Sequence, residues 1–280
     1  MVGNNENTLI FNLRKFRYLP RRMKVIKGLL TLTLIACVSL ATKAQDMKVG
    51  LLVSPTVSWM SINDASIRSD GSLFGIRMGV KLDYGFSSKW YFTLGTALGL
   101  NEGGKLTYRD GGSYLPLSEL KLPQYNNGAK PISDQSTIEY HGQFWSTSLG
   151  LKRILLENAD SKIYLEFPTI GIHRLIKARG SIVYDQKVLT AQEDILNDLR
   201  QWNLSISGGV GIESRVSRNA MFYTSLQYNH FLSDLTLNNG YKAILIEKGT
   251  NPGTTNIYAN RPDKSKALIN GLALTIGLYF

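Results

Sequence analysis

The chain has 280 residues, with 32 Lys/Arg against 21 Asp/Glu and a formal net charge of +11. Eight of the basic residues and one acidic residue lie in 1–44, so the remainder carries 24 basic and 20 acidic residues, a scattered surplus of +4 that excludes the one-sided basic face of a nucleic-acid binder. The single cysteine, Cys37, also lies in 1–44, which excludes disulfides and thiolate metal sites from the rest.

Taken in chain order, 1–44 is an N-terminal extension and signal peptide, with the start expected at Met23. Lys24 and Lys27 form a basic region, and 28–41 form an apolar stretch shorter than the roughly 20 residues a membrane helix needs. Thr42-Lys43-Ala44 then places small residues ahead of a cleavage point before Gln45. Leu34-Ile35-Ala36-Cys37 also resembles a lipoprotein box, in which Cys37 is lipidated, but apolar residues continue past it and a better cleavage site follows. The domain of interest is therefore 45–280.

That domain shows short segments of period-2 alternation, the pattern of strands with one apolar face. The first, 48–60, turns Val49, Leu51, Val53, Val57 and Trp59 outward. In the second, 72–84, Phe74, Ile76, Met78, Val80 and Leu82 face out, with Arg77, Lys81 and Asp83 opposite. Others follow at 90–100, 138–151, 162–177, 201–215 and 220–232. In the fifth the alternation slips at Pro168, which predicts a β-bulge. The eighth, 266–280, is the clearest, with Leu268, Leu272, Leu274, Ile276, Leu278 and Phe280 on one face and Gly271, Ala273, Thr275 and Gly277 on the other.

Connections alternate between tight turns at 85–89, 157–161 and 216–219 and longer polar loops at 61–71, 101–137, 178–200 and 233–265. Each segment is long enough to cross a bilayer as a tilted strand, about 9 to 11 residues, and backbone groups in lipid demand a closed sheet. The fold expected is all-β: an eight-stranded antiparallel up-and-down transmembrane β-barrel with short periplasmic turns and four long extracellular loops. Trp59 and Trp202 at loop-side strand ends, and Trp90 at a turn-side end near Tyr84, Tyr164 and Phe222, suit interfacial aromatic girdles; Trp145, mid-strand, stands outside that pattern. The soluble alternative is a lipocalin-like barrel with the apolar face inward. Against it, the polar face is rich in Gly, Ser, Thr and Asn, with few charges.

Three features resemble the PorT-like outer-membrane β-barrel family of Bacteroidetes: Met47-Lys48-Val49-Gly50-Leu51, Tyr164-Leu165-Glu166-Phe167-Pro168, and the closing strand ending in Tyr279-Phe280. The resemblance implies a Gram-negative outer-membrane barrel without a common biochemical activity; the name-giving member is similar to a component of type IX secretion and gliding machinery. The alternating strand with Leu274, Ile276, Leu278, Tyr279 and Phe280 likewise resembles the insertion signal read by the barrel assembly machinery.

Asp83, Lys152, Glu166, Glu213 and Arg215 fall on the inward face in the turn-side half, with Arg77 and Lys81 somewhat higher, so a paired interior charge network is expected to plug a narrow lumen. His141, His173 and His230 lie on separate strands, with no metal spacing. Gly208-Gly209-Val210-Gly211 and Gly103-Gly104 lack the strand-to-helix context of a phosphate loop, and Asp110-Gly111-Gly112 and Asn126-Asn127-Gly128 read as turns. No catalytic residue, cofactor or metal is expected, and the chain is expected not to be an enzyme. Its partners are expected to be outer-membrane lipid, the assembly machinery and a protein or glycan at the loops. A rim enzyme, a narrow pore and a secretion component are the alternatives.

Overall fold

A computed structural model describes residues 47–109, 112–118, 135–184, 187–217, 220–247 and 257–280. The expected export segment, with Met23 and Cys37, lies outside the described residues, as do Asn126-Asn127-Gly128 and the Asp110-Gly111 pair. Within them the chain forms β1 (Met47–Ile62), β2 (Ile67–Ser69), β3 (Ser72–Gly85), β4 (Trp90–Tyr108), β5 (Gly112–Ser113), β6 (Ser136–Glu157), β7 (Ser161–Tyr184), β8 (Lys187–Asp194), β9 (Trp202–Arg215), β10 (Met221–Phe231), β11 (Tyr241–Glu247), β12 (Ile257–Pro262) and β13 (Ala267–Tyr279). A 3-10 turn, Leu196–Asp198, precedes β9.

Eight of these strands close a ring. Neighbours in the order β1, β3, β4, β6, β7, β9, β10 and β13 pair antiparallel, and β13 returns to β1 from Gly50↔Tyr279 to Ile62↔Ala267. Every barrel strand thus has a partner on both edges, which is what lets a sheet cross lipid without orphaned backbone groups. Among the described residues no helix is long and apolar enough to cross a membrane.

The polarity of the two faces decides between the membrane and soluble readings. Val49, Leu51, Val53, Phe74, Ile76, Met78, Val80, Leu272, Leu274 and Ile276 are all exposed on the outer surface, Phe74 at 77 %, while Lys152 and Glu213 inside are at 0 %. A continuous exposed aliphatic band of this kind marks contact with lipid, and the lipocalin-like arrangement over this stretch is overturned.

Above that band the wall is uneven. β4, β6 and β7 run 19, 22 and 24 residues against 11 to 16 for the other barrel strands. They therefore stand out past the loop-side rim, where β2 pairs with β4 and β8 with β7. A separate three-stranded sheet, β12–β11–β5, adds a second layer of structure there. The regions 61–71, 101–137, 178–200 and 233–265, read from sequence as polar loops, thus contain strands and contribute Leu106, Ile182 and Leu235 to an apolar core shared with the loop-side ends of the expected strands. Met60, Leu106, Ile138, Tyr140, Phe144, Leu175, Ile182, Phe231 and Leu235 pack in that core.

Two of the barrel's irregularities bear on which charged side chains point in. The expected bulge at Pro168 is present as a register shift between Glu166 and Thr169 against β9. A second lies between Gly99 and Glu102, with Asn101 at φ 61, and reverses the phase of β4, so odd residues face in below it and even residues above.

Candidate functional site

The barrel interior is stacked in three layers. At the turn side, Lys152 of β6 is held between Asp83 of β3 at 2.5 Å and Glu213 of β9, and Glu213 also receives Lys48 at 3.2 Å. Lys81 donates to Glu166 beside them. Three ammonium groups thus face three carboxylates, the balance a low-dielectric interior requires. Tyrosine rings complete their surroundings: Lys152 Nζ lies 4.4 Å from the centre of the Tyr164 ring and 5.3 Å from that of Tyr279, and Lys48 Nζ lies 5.0 Å from that of Tyr91. The Tyr279 hydroxyl donates to Asp83 at 2.8 Å and its ring stacks on Tyr223 at 4.2 Å. Gly211 and Gly277 are the seats of these rings, since a Cβ at either would collide with Tyr164 or Tyr223.

The middle layer is polar and loosely filled. Arg77 forms a two-point ion pair with Glu102, through Nε to Oε1 and through Nη2 to Oε2 at 2.9 Å. His173 shares hydrogen bonds of 2.7 Å with both Ser146 and Ser205 and stacks on Phe231. Between these groups and Ser54, Thr93, Thr169 and Asn229 remains a cavity of about 90 Å³, room for several water molecules. Thr169 Oγ1 and Asn229 Nδ2, both buried without a partner among the described residues, are suited to bind them. The third layer is the apolar core around Phe144, Phe231 and Tyr140, which fills the loop-side end.

The structure therefore brings together Lys81, Asp83, Lys152, Glu166 and Glu213, and places Arg77 one layer higher. It does not bring in Arg215. That side chain is exposed at the turn-side margin of β9, where its main-chain N–H donates to Asp160 O at 2.8 Å. Two members were missed, Lys48 and Glu102. Lys48 was legible from phase, because it immediately precedes the outward Val49. Glu102 was not, because the Gly99–Glu102 bulge reverses the alternation just before it.

Two aromatic expectations also change. Tyr164 is not at an interface but fully buried in the lumen. Trp145 does belong to the loop-side belt: the sheared register sets it opposite Arg174, which is opposite Trp202. On the same strand, Arg153 lies over the Trp90 ring at 5.3 Å on the turn side. From Trp145 to Arg153 the strand rises about 27 Å at ~3.4 Å per residue, or about 21 Å along the membrane normal at a tilt of ~40°, close to the height of an outer-membrane apolar band. At the C-terminus Leu274, Ile276 and Phe280 are exposed outward and Leu278 is half-buried, whereas Tyr279 faces in.

The other two histidines lie nearer the loops, His141 with Asn101 and Glu139, and His230 with Asn270 at 2.6 Å. Among the described residues no group of three or more His, Cys, Asp or Glu is placed to hold a metal.

No family model and no curated protein matches the sequence. Solved structures similar to it are outer-membrane barrels. Neisserial surface protein A is 11% identical at a TM-score of 0.37, covering 84% of this chain and 100% of that one. The attachment invasion locus protein Ail of Yersinia pestis is 10% identical at 0.35, covering 84% and 100%. The outer membrane protease OmpT of Escherichia coli is 9% identical at 0.42, covering 85% and 97%. These likenesses concern the fold and assign no activity. They do correct one expectation: with a protease among the barrels it resembles, the statement that this chain is not an enzyme does not stand, and the fold does not exclude catalysis.

Proposed function

We propose that the chain is an outer-membrane barrel that does its work at the cell surface, where its long loops present a structural, adhesive or partner-binding face. The observation that carries this reading is the combination of a lumen filled by side chains on both sides of its small cavity with a loop-side end elaborated into folded strands. Sequence is invested in the outside of the barrel rather than in a passage through it. Export by the signal at 1–44, insertion by the barrel assembly machinery through Leu274, Ile276, Leu278, Tyr279 and Phe280, and kinship with PorT-like barrels belong to the same proposal. They rest on the sequence motifs.

Fractionation tests it. The protein is expected in the outer membrane and to migrate faster on unboiled than on boiled gels, because a closed barrel keeps its shape in detergent until heated. Recovery in the soluble periplasm would sink the proposal.

A further inference from the structure

One part of the outer surface is neither plain lipid wall nor loop. The row Trp145–Arg174–Trp202 crosses three adjacent strands on the lipid-facing side. The Arg174 guanidinium lies 5.6 Å from the centre of the Trp202 ring, and the indoles of Trp145 and Trp202 remain 51 % and 60 % exposed. Toward the membrane centre the next rows are Thr147–Ile172–Leu204 and Leu149–Ile170–Ile206, an almost wholly aliphatic floor. In the opposite direction Ile176 bulges out and Lys177, exposed, stands opposite Gln143. Leu196 of the 3-10 turn, with Gln201, overhangs the row and makes it a groove of about 660 Å³.

From membrane centre to rim, the chemistry thus runs aliphatic, aromatic, cationic, in the order a membrane lipid presents its complement. Neither Arg174 nor Lys177 forms an ion pair among the described residues. A cation at a membrane surface attracts anionic headgroups, and a guanidinium matches a phosphate with two parallel hydrogen bonds. We infer that this groove holds one phosphorylated lipid of the loop-side leaflet, with its phosphate between Arg174 and Lys177, its headgroup frame against the two indoles and an acyl chain on the Ile170–Ile172–Leu204 floor. The inference rests on the membrane placement proposed above. On the turn side Arg153 over Trp90 forms a like aromatic–cation pair that does not line this groove.

The full chain is assembled in phosphatidylcholine nanodiscs doped with lipid A, or with the same lipid A after removal of its phosphates, then released into mild detergent and weighed by native mass spectrometry. One lipid A per barrel is expected to stay bound, with the dephosphorylated form held about tenfold more weakly. The double variant Arg174→Ala, Lys177→Ala is expected to lose retention, while Arg153→Ala keeps it. Equal retention of both lipid forms by the unaltered protein, or retention that survives the double variant, overturns the inference. Comparing the two lipids needs no variant, so poor folding of a variant leaves the test intact. Heat-dependent mobility of the same samples separates the two readings: a folded barrel that keeps no lipid A sinks the lipid site alone, and a chain that never enters the discs sinks the membrane placement.

Discussion

Lys152 carries its charge where its own side chain has no exposed surface, and it is answered there by Asp83, Glu213 and tyrosine faces. Removing one carboxylate leaves an uncompensated ammonium, a loss of about 3–5 kcal/mol for a well-buried pair. Glu213→Ala is accordingly expected to lower the unfolding free energy in vesicles by that order, read as a drop in the urea midpoint, whereas Arg215→Ala, on an exposed side chain of the same strand face, should barely move it. Equal shifts in the two variants would show that depth in the lumen does not set the cost. The alternation of the sequence was enough to place Asp83, Lys152, Glu166 and Glu213 inward, because each sits beside an outward apolar neighbour, and the bulge at Pro168 comes only after Glu166. It could not decide Arg215, since phase says which way a side chain starts and not whether the lumen extends far enough to cover it.

At the scale of elements, the eight spanning strands were legible and their upper halves were not, for one physical reason. Within the lipid band the apolar residues face out. Above the Gly99–Glu102 bulge the surroundings become aqueous and the rule inverts, so Leu106, Tyr108, Ile138 and Tyr140 face in while Lys105, Thr107, Glu139 and His141 face out. By the lower rule 101–108 reads as polar loop, whereas 138–141, in phase with the rest of β6, was legible as strand. The cap built on these extensions is tied by an ion pair between Asp64, in the β1–β2 turn, and Lys242 of β11. Partial burial pushes the Asp64 carboxyl up, but Lys242 and the Ser66 bonds outweigh it and hold the group at about 2. Because the folded value is depressed, this contribution is present above the ordinary carboxylate value near 4 and is lost as pH falls toward 2. Limited proteolysis of the cap is expected to accelerate over that window, by a destabilisation of about 1–2 kcal/mol, and Asp64→Asn should abolish the dependence; an unchanged acid profile in that variant would assign it to other groups. The closing strand gives a second test at this scale. Phe280 is exposed outward and its N–H pairs with Val49 O across the seam at 2.8 Å, so Phe280→Lys, which spares the Tyr279–Asp83 bond, should reduce the heat-modifiable fraction while export continues. Full assembly of that variant would make the terminal aromatic incidental.

For the molecule as a whole, the layered interior predicts electrical silence. Ion pairs and tyrosines fill the turn side, aromatic and aliphatic side chains fill the loop side, and the chamber of about 90 Å³ between them holds several waters but no continuous path. Purified protein in planar bilayers is expected to give small, rare conductance steps, and a large steady conductance would recast the same charges as the lining of a selective channel. The Asp64–Lys242 tie has a further meaning once its place along the chain is considered. Its partners are 178 residues apart, one in the turn that follows β1 and the other on β11, which precedes β13 in the chain, so it ties the cap sheet to the start of the barrel. Lys266, just before β13, donates its N–H to Asn63 Oδ1 of the same turn at 2.6 Å. Both bonds sit beside the seam at which the last strand pairs with the first. The part of the cap fastened by these two bonds is therefore expected to be complete only on closed barrels, and a binder raised against it would count finished molecules and pass over unfinished ones.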